Sequence, residues 1–370
     1  MSAKTEFRIA VLPGDGIGIE VMDACLEMLR ALTRHLGGLH LAIERLAGGA
    51  AYYRDTGIAL PDASLKGARA ADAILFGAMG LPDVRRPDGT EINPQIDIRF
   101  ELELFAGVRP VKAMATGTNI LADARANDID LVIIREQTQG SFSDFRKGTV
   151  ENDRRAIDRC VITRDATERV TDFAFRLAER RRQQGRPGLL TCVDKANVMS
   201  SMAFFRKVFD ERAAHFSQIR IDHAYVDAAA LNLVRRPWTF DVLLTENLLG
   251  DILSDLAAGL IGGLGMAPSG DIGERHAMFQ PCHGSAPDIA GRATANPTAM
   301  FLSAAMMLEW LGERHGVSCC LSAARQLRSA IEHGFTCGKI RPAELGGPDG
   351  TAAITRTVIE LIHSRPVVTA

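Results

Sequence analysis

The 370-residue chain is long enough for two domains of ordinary size, and its formal net charge is −2. A nearly neutral chain lacks the basic field that binds nucleic acid, and no apolar run approaches the roughly 18 residues of a membrane span. Its seven cysteines contain no Cys-x-x-Cys pair, so neither a thiolate metal site nor a disulfide framework is indicated, and a cytoplasmic location is expected.

Short β-branched runs alternate with longer segments of helical periodicity, and this alternation predicts an α/β fold. Strands are predicted at residues 7–12, 73–76, 131–134, 189–193 and 241–244. Helices are predicted at residues 19–36, 167–184, 201–215, 248–260, 297–314, 323–333 and 351–363. The cluster of Arg180, Arg181 and Arg182 near the end of one helix is interpreted as a solvated face.

A glycine-rich segment, Leu-Pro-Gly-Asp-Gly-Ile-Gly at residues 12–18, separates the first strand from the first helix. Glycines here allow a tight turn and a close approach of a ligand to the helix N-terminus. The spacing of Gly14, Gly16 and Gly18 does not match the G-x-G-x-x-G fingerprint of a Rossmann domain. A plain strand-to-helix turn and a ligand-binding loop both stay open.

A set of aspartates suggests a site for a divalent cation. Asp251 and Asp255 are four residues apart in a predicted helix, so both carboxylates lie on one face. Like charges at this spacing repel each other, and oxygen ligands of this kind suit Mg²⁺ or Mn²⁺. Asp227 is a further candidate ligand. The alternative is that Asp251 only favours the first turn of its helix.

Basic residues supply candidates for binding and proton transfer. Lys195 follows a predicted strand, and a lysine withdrawn from water can exchange protons near neutral pH. Arg99, Arg109 and Arg135 would select a di- or tricarboxylate if they converged. The alternatives are a surface lysine and arginines that form weak surface ion pairs.

The segment His-Gly-Ser-Ala-Pro-Asp-Ile-Ala-Gly at residues 283–291 combines small residues with one carboxylate. Small residues allow backbone contact with phosphates, and Asp288 can accept hydrogen bonds from ribose hydroxyls. The same carboxylate repels the additional phosphate of NADP, so the segment favours NAD. A loop without a ligand is the alternative.

These five segments, in this order, resemble the metal-dependent β-decarboxylating dehydrogenases, which include isopropylmalate, isocitrate, homoisocitrate and tartrate/D-malate dehydrogenases. The resemblance implies NAD-dependent oxidation, with decarboxylation, of a malate-type 2-hydroxy dicarboxylic acid. It also implies a two-domain α/β fold that is not Rossmann. One discontinuous cofactor-binding domain would contain residues 1–104 and 262–370, and residues 105–261 would form the dimerisation and metal/substrate domain. A homodimer with shared active sites is expected.

The resemblance also assigns roles to residues of this chain. Arg99, Arg109 and Arg135 would bind the substrate carboxylates, and Lys195 would handle the hydroxyl proton. Mg²⁺ or Mn²⁺ would be held by Asp227, Asp251 and Asp255. Lys195 and Asp227 would reach across from the neighbouring subunit. NAD would be bound by residues of the 283–291 loop and the segment after it: His283, Gly284, Ser285, Ala286, Asp288 and Asn296.

The chain departs from the family pattern at one catalytic position. Phe142 occupies the place of a tyrosine that acts as the acid for protonation at C3, so a slowed decarboxylase or an enzyme that stops at oxidation is expected. Ser141 and Ser143 offer nearby hydroxyl groups. The mixed polar stretch at residues 91–98 suggests a smaller or more polar C3 substituent than isopropyl. The competing hypothesis is a non-catalytic regulatory subunit of an isocitrate dehydrogenase-like complex.

Overall fold

The computed structural model describes residues 5–114 and 120–364. Within these ranges the chain forms twelve strands: β1 (Glu6–Gly14), β2 (His40–Arg45), β3 (Ala73–Ala78), β4 (Ala106–Lys112), β5 (Asp130–Glu136), β6 (Thr149–Glu151), β7 (Arg155–Ile157), β8 (Leu189–Asp194), β9 (Arg220–Tyr225), β10 (Val242–Thr245), β11 (Pro268–Ile272) and β12 (Ala277–Pro281).

Eleven α-helices occur in the same described ranges: α1 (Ile17–Leu36), α2 (Ala50–Thr56), α3 (Asp62–Ala70), α4 (Pro94–Glu101), α5 (Arg164–Gln183), α6 (Ser200–Ala213), α7 (Val226–Arg235), α8 (Asn247–Leu260), α9 (Thr298–His315), α10 (Ser318–Thr336) and α11 (Thr351–Ser364). None of these described helices has the length and apolar content needed to cross a bilayer.

Ten strands form one sheet in the order β2-β1-β3-β12-β11-β4-β5-β10-β8-β9, and β6 and β7 form a separate antiparallel pair. The five strands on one side come from residues before 105 or after 261, and the other five come from between these limits. The antiparallel pairing of β4 with β11 joins the two halves. The predicted domain boundary coincides with this junction, and the division into domains stays a prediction.

The two faces of β1 show how the sheet builds its core. Phe7, Ile9 and Val11 belong to a large buried cluster that includes the apolar residues of α1. The intervening Ala10 and Leu12 belong to a second cluster on the other side. This alternation follows from the two-residue period of a strand, and helices covering both faces explain the nearly continuous apolar sequences of the central strands.

Every predicted strand and helix corresponds to an observed one within a few residues, but several elements were not predicted. Strand β4 is one of these, because Gly107 and Pro110 interrupt its apolar pattern. Pro110 is tolerated because β11 pairs only with residues 106–108 of β4, so the proline lies beyond that ladder. Helices α4 and α7 were also missed.

The interpretation of the arginine cluster at the end of α5 is wrong for Arg181. Its Nε donates to Asp241 Oδ1 at 2.7 Å, and its Nη2 donates to the backbone oxygen of Asp130 at 2.7 Å. Asp241 is completely buried and also accepts from two backbone N–H groups of the β8 segment. Arg181 therefore attaches α5 to the sheet, a contact that local periodicity does not reveal.

Candidate active site

A cavity of about 330 Å³ collects side chains from both halves of the sheet. Of the residues predicted from the sequence, it brings together eight: Arg99, Arg109, Arg135, Phe142, Asp251, Asp255, His283 and Gly284. Asn93, Gln95 and Ile96, from the polar stretch before Arg99, also line it. The arginines and aspartates of separate sequence motifs therefore line one cavity.

The three arginines come from different elements and are all buried. Arg99 lies on α4, Arg109 in the middle of β4, and Arg135 near the end of β5. Arg109 leaves its Nη1 buried without a hydrogen-bond partner among the described residues. An unpaired buried donor of this kind favours a ligand acceptor, because its desolvation is otherwise uncompensated.

Asp271 on β11 is the acidic partner of two of these arginines. Its Oδ2 accepts from Arg99 Nε at 2.9 Å, and its Oδ1 lies 3.3 Å from Arg109 Nη2. Burial alone would raise the pKa of Asp271, but the charges of Arg99 and Arg109 outweigh burial and lower the pKa below its ordinary value. The cluster therefore contains an ionised, completely buried carboxylate.

Strand register places this cluster on one face of the sheet. Asp271 on β11 is opposite Gly107 on β4, which is opposite Arg135 on β5. Directly paired residues share a face, and Arg109 lies two residues from Gly107 on the same side. A Cβ atom on Gly107 would approach Gln137 Nε2 to 2.4 Å, so the glycine leaves room for that amide.

Arg135 connects the arginine cluster to α8. Asn247 Oδ1, at the start of that helix, accepts from Arg135 Nε at 2.9 Å and from Arg135 Nη2 at 2.7 Å. The Nη1 group forms an ion pair with Asp251. Burial, assisted by the charges of Arg99 and Arg109, lowers the pKa of Arg135 to about 10, so it remains protonated at neutral pH.

Asp251 and Asp255 lie one turn apart on α8 and both line the cavity, as their spacing predicts. Burial and the neighbouring charge of Asp251 raise the pKa of Asp255. A cation between the two carboxylates would relieve this repulsion, and carboxylate oxygens are the ligands that Mg²⁺ and Mn²⁺ take. The donor set therefore fits a divalent cation.

Lys195 and Asp227 form an ion pair at 2.7 Å but do not line the cavity of their own chain. Lys195 follows β8 and Asp227 lies in the first turn of α7. The Asp227 side chain is 69% exposed. In the described part of the chain, no three acidic, histidine or cysteine side chains are grouped closely enough to hold a metal ion. One chain thus presents Asp251 and Asp255 without Asp227.

Phe142 lines the cavity beside Arg135, whose guanidinium carbon lies 5.3 Å from the ring centre. The nearby hydroxyl of Ser143 donates to the backbone oxygen of Gly140 at 2.6 Å. Ser143 is therefore engaged with the main chain, and neither it nor Ser141 lines the cavity. The ring at position 142 reaches the arginine site without an acidic hydroxyl.

The glycine-rich 12–18 segment packs against the 283–291 loop. Ile17 N donates to the backbone oxygen of Ser285 at 2.8 Å. Gly16 has φ +54°, and a Cβ atom there would lie 2.1 Å from that same oxygen. Because only glycine avoids both the strain and the overlap, Gly16 is required for these two loops to meet.

Asp15, in the same glycine-rich segment, connects it to two other parts of the chain. Its carboxylate accepts hydrogen bonds from the backbone N–H groups of Ala50 at 2.7 Å, Ala51 at 2.8 Å and Gly80 at 2.9 Å. Because Asp15 is buried, its carboxylate needs these hydrogen bonds, which the start of α2 and the loop after β3 donate. The role of Asp15 was not predicted, because its partners lie 35 to 65 residues away and no local pattern marks them.

The residues predicted to bind NAD have different environments. His283 Nδ1 lies 2.9 Å from the backbone oxygen of Gly284, and burial lowers the pKa of the imidazole. Asp288 is exposed, and Ala286 adopts φ +35°. Asn296 is buried, donates to Glu344 Oε2 at 3.1 Å and accepts from the backbone of Thr298.

A comparison with known proteins identifies the family of this site. The model described as isocitrate/isopropylmalate dehydrogenase matches residues 8–362. The chain belongs to this family. Its members are decarboxylating dehydrogenases that act on CH–OH groups, and they depend in general on NAD and a divalent metal. The expected family, its non-Rossmann α/β fold and the enzyme class are thereby confirmed.

Two named relatives match most of the chain. The 3-isopropylmalate/3-methylmalate dehydrogenase of Methanocaldococcus jannaschii is 39% identical over 357 residues, which cover 96% of this chain and 99% of the relative. The 3-isopropylmalate dehydrogenase of Moorella thermoacetica is 41% identical over 330 residues, covering 86% of this chain and 89% of the relative.

Solved structures agree on the fold. The isocitrate dehydrogenase of Methylococcus capsulatus superposes with a TM-score of 0.85 at 34% identity, covering 97% of this chain and 100% of that one. A β-decarboxylating dehydrogenase of Thermococcus kodakarensis gives a TM-score of 0.77 at 35% identity, covering 96% of both. The relatives therefore include enzymes named for different substrates, and identity alone does not select one.

Proposed function

We propose that this chain is the subunit of a homodimeric dehydrogenase that uses NAD and Mg²⁺ or Mn²⁺ to oxidise a malate with a small or polar C3 substituent. The observation that carries the proposal is the convergence of Arg99, Arg109 and Arg135 with Asp251 and Asp255 in one cavity. Guanidinium groups bind carboxylates, and paired aspartates bind a divalent cation. A 2-hydroxy dicarboxylate presents oxygens for both.

The lining of the cavity supports the choice of C3 substituent. Asn93 and Gln95 line it together with the apolar Ile96 and Met79. Amide groups hydrogen-bond to a polar substituent, whereas a branched alkyl group would desolvate them without compensation. Methyl, hydrogen and hydroxyl substituents at C3 therefore fit this lining better than isopropyl. The Methanocaldococcus relative is itself named for both 3-methylmalate and 3-isopropylmalate.

Asp251 and Asp255 of one chain would hold the cation, with Asp227 of a second chain as a further ligand. NAD, when bound, supplies the hydride acceptor, and the cation supplies positive charge beside the oxygen that is oxidised. Asp288 would accept hydrogen bonds from the ribose hydroxyls, which its exposed position allows. His283, Gly284, Ser285, Ala286 and Asn296 would complete the cofactor site.

Lys195 would take the proton of the substrate hydroxyl in the site of the neighbouring chain. This assignment is supported by its absence from the cavity of its own chain and by exposed apolar side chains on the segments that follow it. Large exposed apolar side chains on α7, α8 and the adjoining segments suit a subunit interface. They are Val198, Met199, Ile221, Tyr225, Leu231, Val234, Leu248 and Ile252.

Phe142 supports a second reaction outcome, oxidation with little or no decarboxylation. Its ring lacks the hydroxyl that would protonate C3, and Ser143 is bonded to the backbone. We favour a slowed decarboxylase, because a cation held by Asp251 and Asp255 would still stabilise negative charge on the substrate oxygen.

The direct test is NADH formation by the purified chain with a panel of malates that carry hydrogen, hydroxyl, methyl or isopropyl at C3, or the carboxymethyl group of isocitrate. We expect turnover that requires MnCl₂ and is fastest with a small C3 substituent. Binding of malates without turnover would favour the regulatory-subunit hypothesis instead. Arg181→Gln, which removes a partly buried arginine that does not line the cavity, is the control and should keep the parent's order of substrates.

A further inference from the structure

Asp271 is a completely buried carboxylate directly behind the arginines, and the proposed reaction assigns it no role. Its Oδ2 accepts from Arg99 Nε at 2.9 Å and from Gln280 Nε2 at 2.8 Å. Its Oδ1 lies 3.3 Å from Arg109 Nη2. Asp271 does not itself line the cavity, so it would affect a substrate only through its neighbours.

The charges around Asp271 set how many carboxylates the arginines can neutralise. Three guanidinium groups carry three positive charges, and Asp271 removes one, which leaves two. Asp251 and Asp255 do not enter this balance, since they are proposed to hold a divalent cation whose charge offsets theirs. Two remaining charges match a dianion. A trianion would bring a third carboxylate towards a buried cluster that already contains a negative charge.

We propose that Asp271 determines the charge class of the substrate: it holds Arg99 and Arg109 in place, neutralises one of them, and makes the cavity select dicarboxylates over tricarboxylates. This inference rests on the proposed function, because it concerns the same cavity. Asp271 is a positioning residue, since it acts through the two arginines. The cavity is thereby assigned to malates with an uncharged C3 substituent rather than to isocitrate-like acids.

A purely structural ion pair would have the same geometry, and the chain contains a matched example. Asp241 is also completely buried and also accepts from an arginine, Arg181, but it lies outside the cavity. Asp241→Asn therefore removes a similar buried charge without altering the charge balance of the cavity. Asp271→Asn removes the charge at the cavity itself.

The experiment measures binding of two inert probes to the full-length protein by titration calorimetry, with MnCl₂ and NAD at fixed concentrations. The probes are succinate, a dianion, and tricarballylate, a trianion. We expect the parent to bind succinate more tightly. In Asp271→Asn the ratio of the two affinities should shift towards tricarballylate by about tenfold or more, because the variant no longer repels the third carboxylate. Asp241→Asn should leave the ratio unchanged.

Moving the carboxylate from position 271 to position 280 should restore the preference for the dianion. Gln280 already contacts Asp271, so the double variant with Asp271→Asn and Gln280→Glu returns one carboxylate to the same arginines and should restore the preference for succinate. Where Asp271→Asn does not fold, Asp271→Ser removes the same charge, leaves a hydroxyl that can accept from Arg99, and should shift the affinity ratio in the same direction.

Equal or tighter tricarballylate binding by the parent would overturn the inference. The same holds for an unchanged affinity ratio in folded Asp271→Asn, or in Asp271→Ser where that variant is the one tested. Neither probe carries a hydroxyl group, so the result does not depend on turnover. Failure of every malate to produce NADH would instead count against the proposed function.

Discussion

The guanidinium carbon of Arg135 lies 5.3 Å from the centre of the Phe142 ring. This contact places the ring beside an arginine that is proposed to bind a substrate carboxylate, in the cavity that also contains Asp251 and Asp255. A hydroxyl added to this ring would therefore enter the cavity rather than the protein core. Whether that hydroxyl donates a proton to the reacting carbon can be measured.

Phe142→Tyr is expected to increase CO₂ release relative to NADH formation. A positioned general acid contributes about 10²–10⁴-fold, so even a partly aligned phenol should give a measurable gain. The two products are followed separately with the best malate found. The control is Phe145→Tyr, since Phe145 packs against Arg146 and Phe100 and does not line the cavity. No gain in CO₂ release or turnover would exclude Phe142 from the acid position.

Asp251→Asn is expected to weaken Mn²⁺ binding by about tenfold or more. The amide removes one negative ligand charge, and even residues that only support metal ligands typically change affinity by about 10–100-fold. Calorimetric titration of MnCl₂ without substrate measures the metal site alone, and in the parent Mn²⁺ then competes with Arg135 for the Asp251 carboxylate. Asp172→Asn, which affects an Arg212 pair outside the cavity, is the control. Equal affinity in both variants would remove Asp251 from the site.

Asp288→Ala is expected to reduce the preference for NAD over NADP. The carboxylate is exposed at the proposed ribose site, where it would bond to two hydroxyls and repel a 2′-phosphate. The ratio of kcat/KM for the two cofactors should fall by about tenfold, a typical effect of one specific polar contact. Glu313→Ala changes an exposed acid at the end of α9 and should leave the ratio unaltered. Comparable efficiency of the parent with both cofactors would contradict the assignment.

Mixing two inactive variants tests whether active sites are shared. Lys195→Ala and Asp251→Asn should each be inactive alone. If Lys195 serves the neighbouring cavity, a mixed dimer contains one intact site, and random exchange makes half of the dimers mixed. Refolding an equal mixture should then recover about a quarter of the parent activity. If Lys195 acts within its own chain, the mixture stays inactive.

Asp271 should contribute to stability at neutral pH and lose this contribution in acid. Its pKa is lowered in the folded protein, so the unfolded chain takes up a proton first as the pH falls below about 5. Its stabilising effect is complete above the unfolded pKa and disappears as the pH falls through the folded pKa. Urea unfolding between pH 6 and about 3 should show a shallower decline of the unfolding free energy for Asp271→Asn than for the parent. Parallel curves would mean that the pKa of Asp271 is the same in the folded and the unfolded chain, and a steeper decline for Asp271→Asn would mean that it is raised on folding.

Local sequence patterns predict much of the secondary structure of this protein and part of its candidate site. The four-residue interval between Asp251 and Asp255 places both on one face of α8 wherever that helix lies. The apolar periods of β1 and α1 likewise follow from residues close in sequence. Such features can be predicted from the sequence because residues within one helical turn or one strand are only a few positions apart.

Tertiary structure alone decided which charges meet. Arg99 and Asp271 are 172 residues apart, and the segment 268–272 carries no pattern that marks a partner for an arginine. Arg181 likewise has the local pattern of a solvated residue, although it bonds to a buried aspartate 60 residues away. Both contacts depend on the register and order of strands, which bring distant segments side by side. The free energy of a buried ion pair depends on that final environment and not on the residues adjacent in the chain.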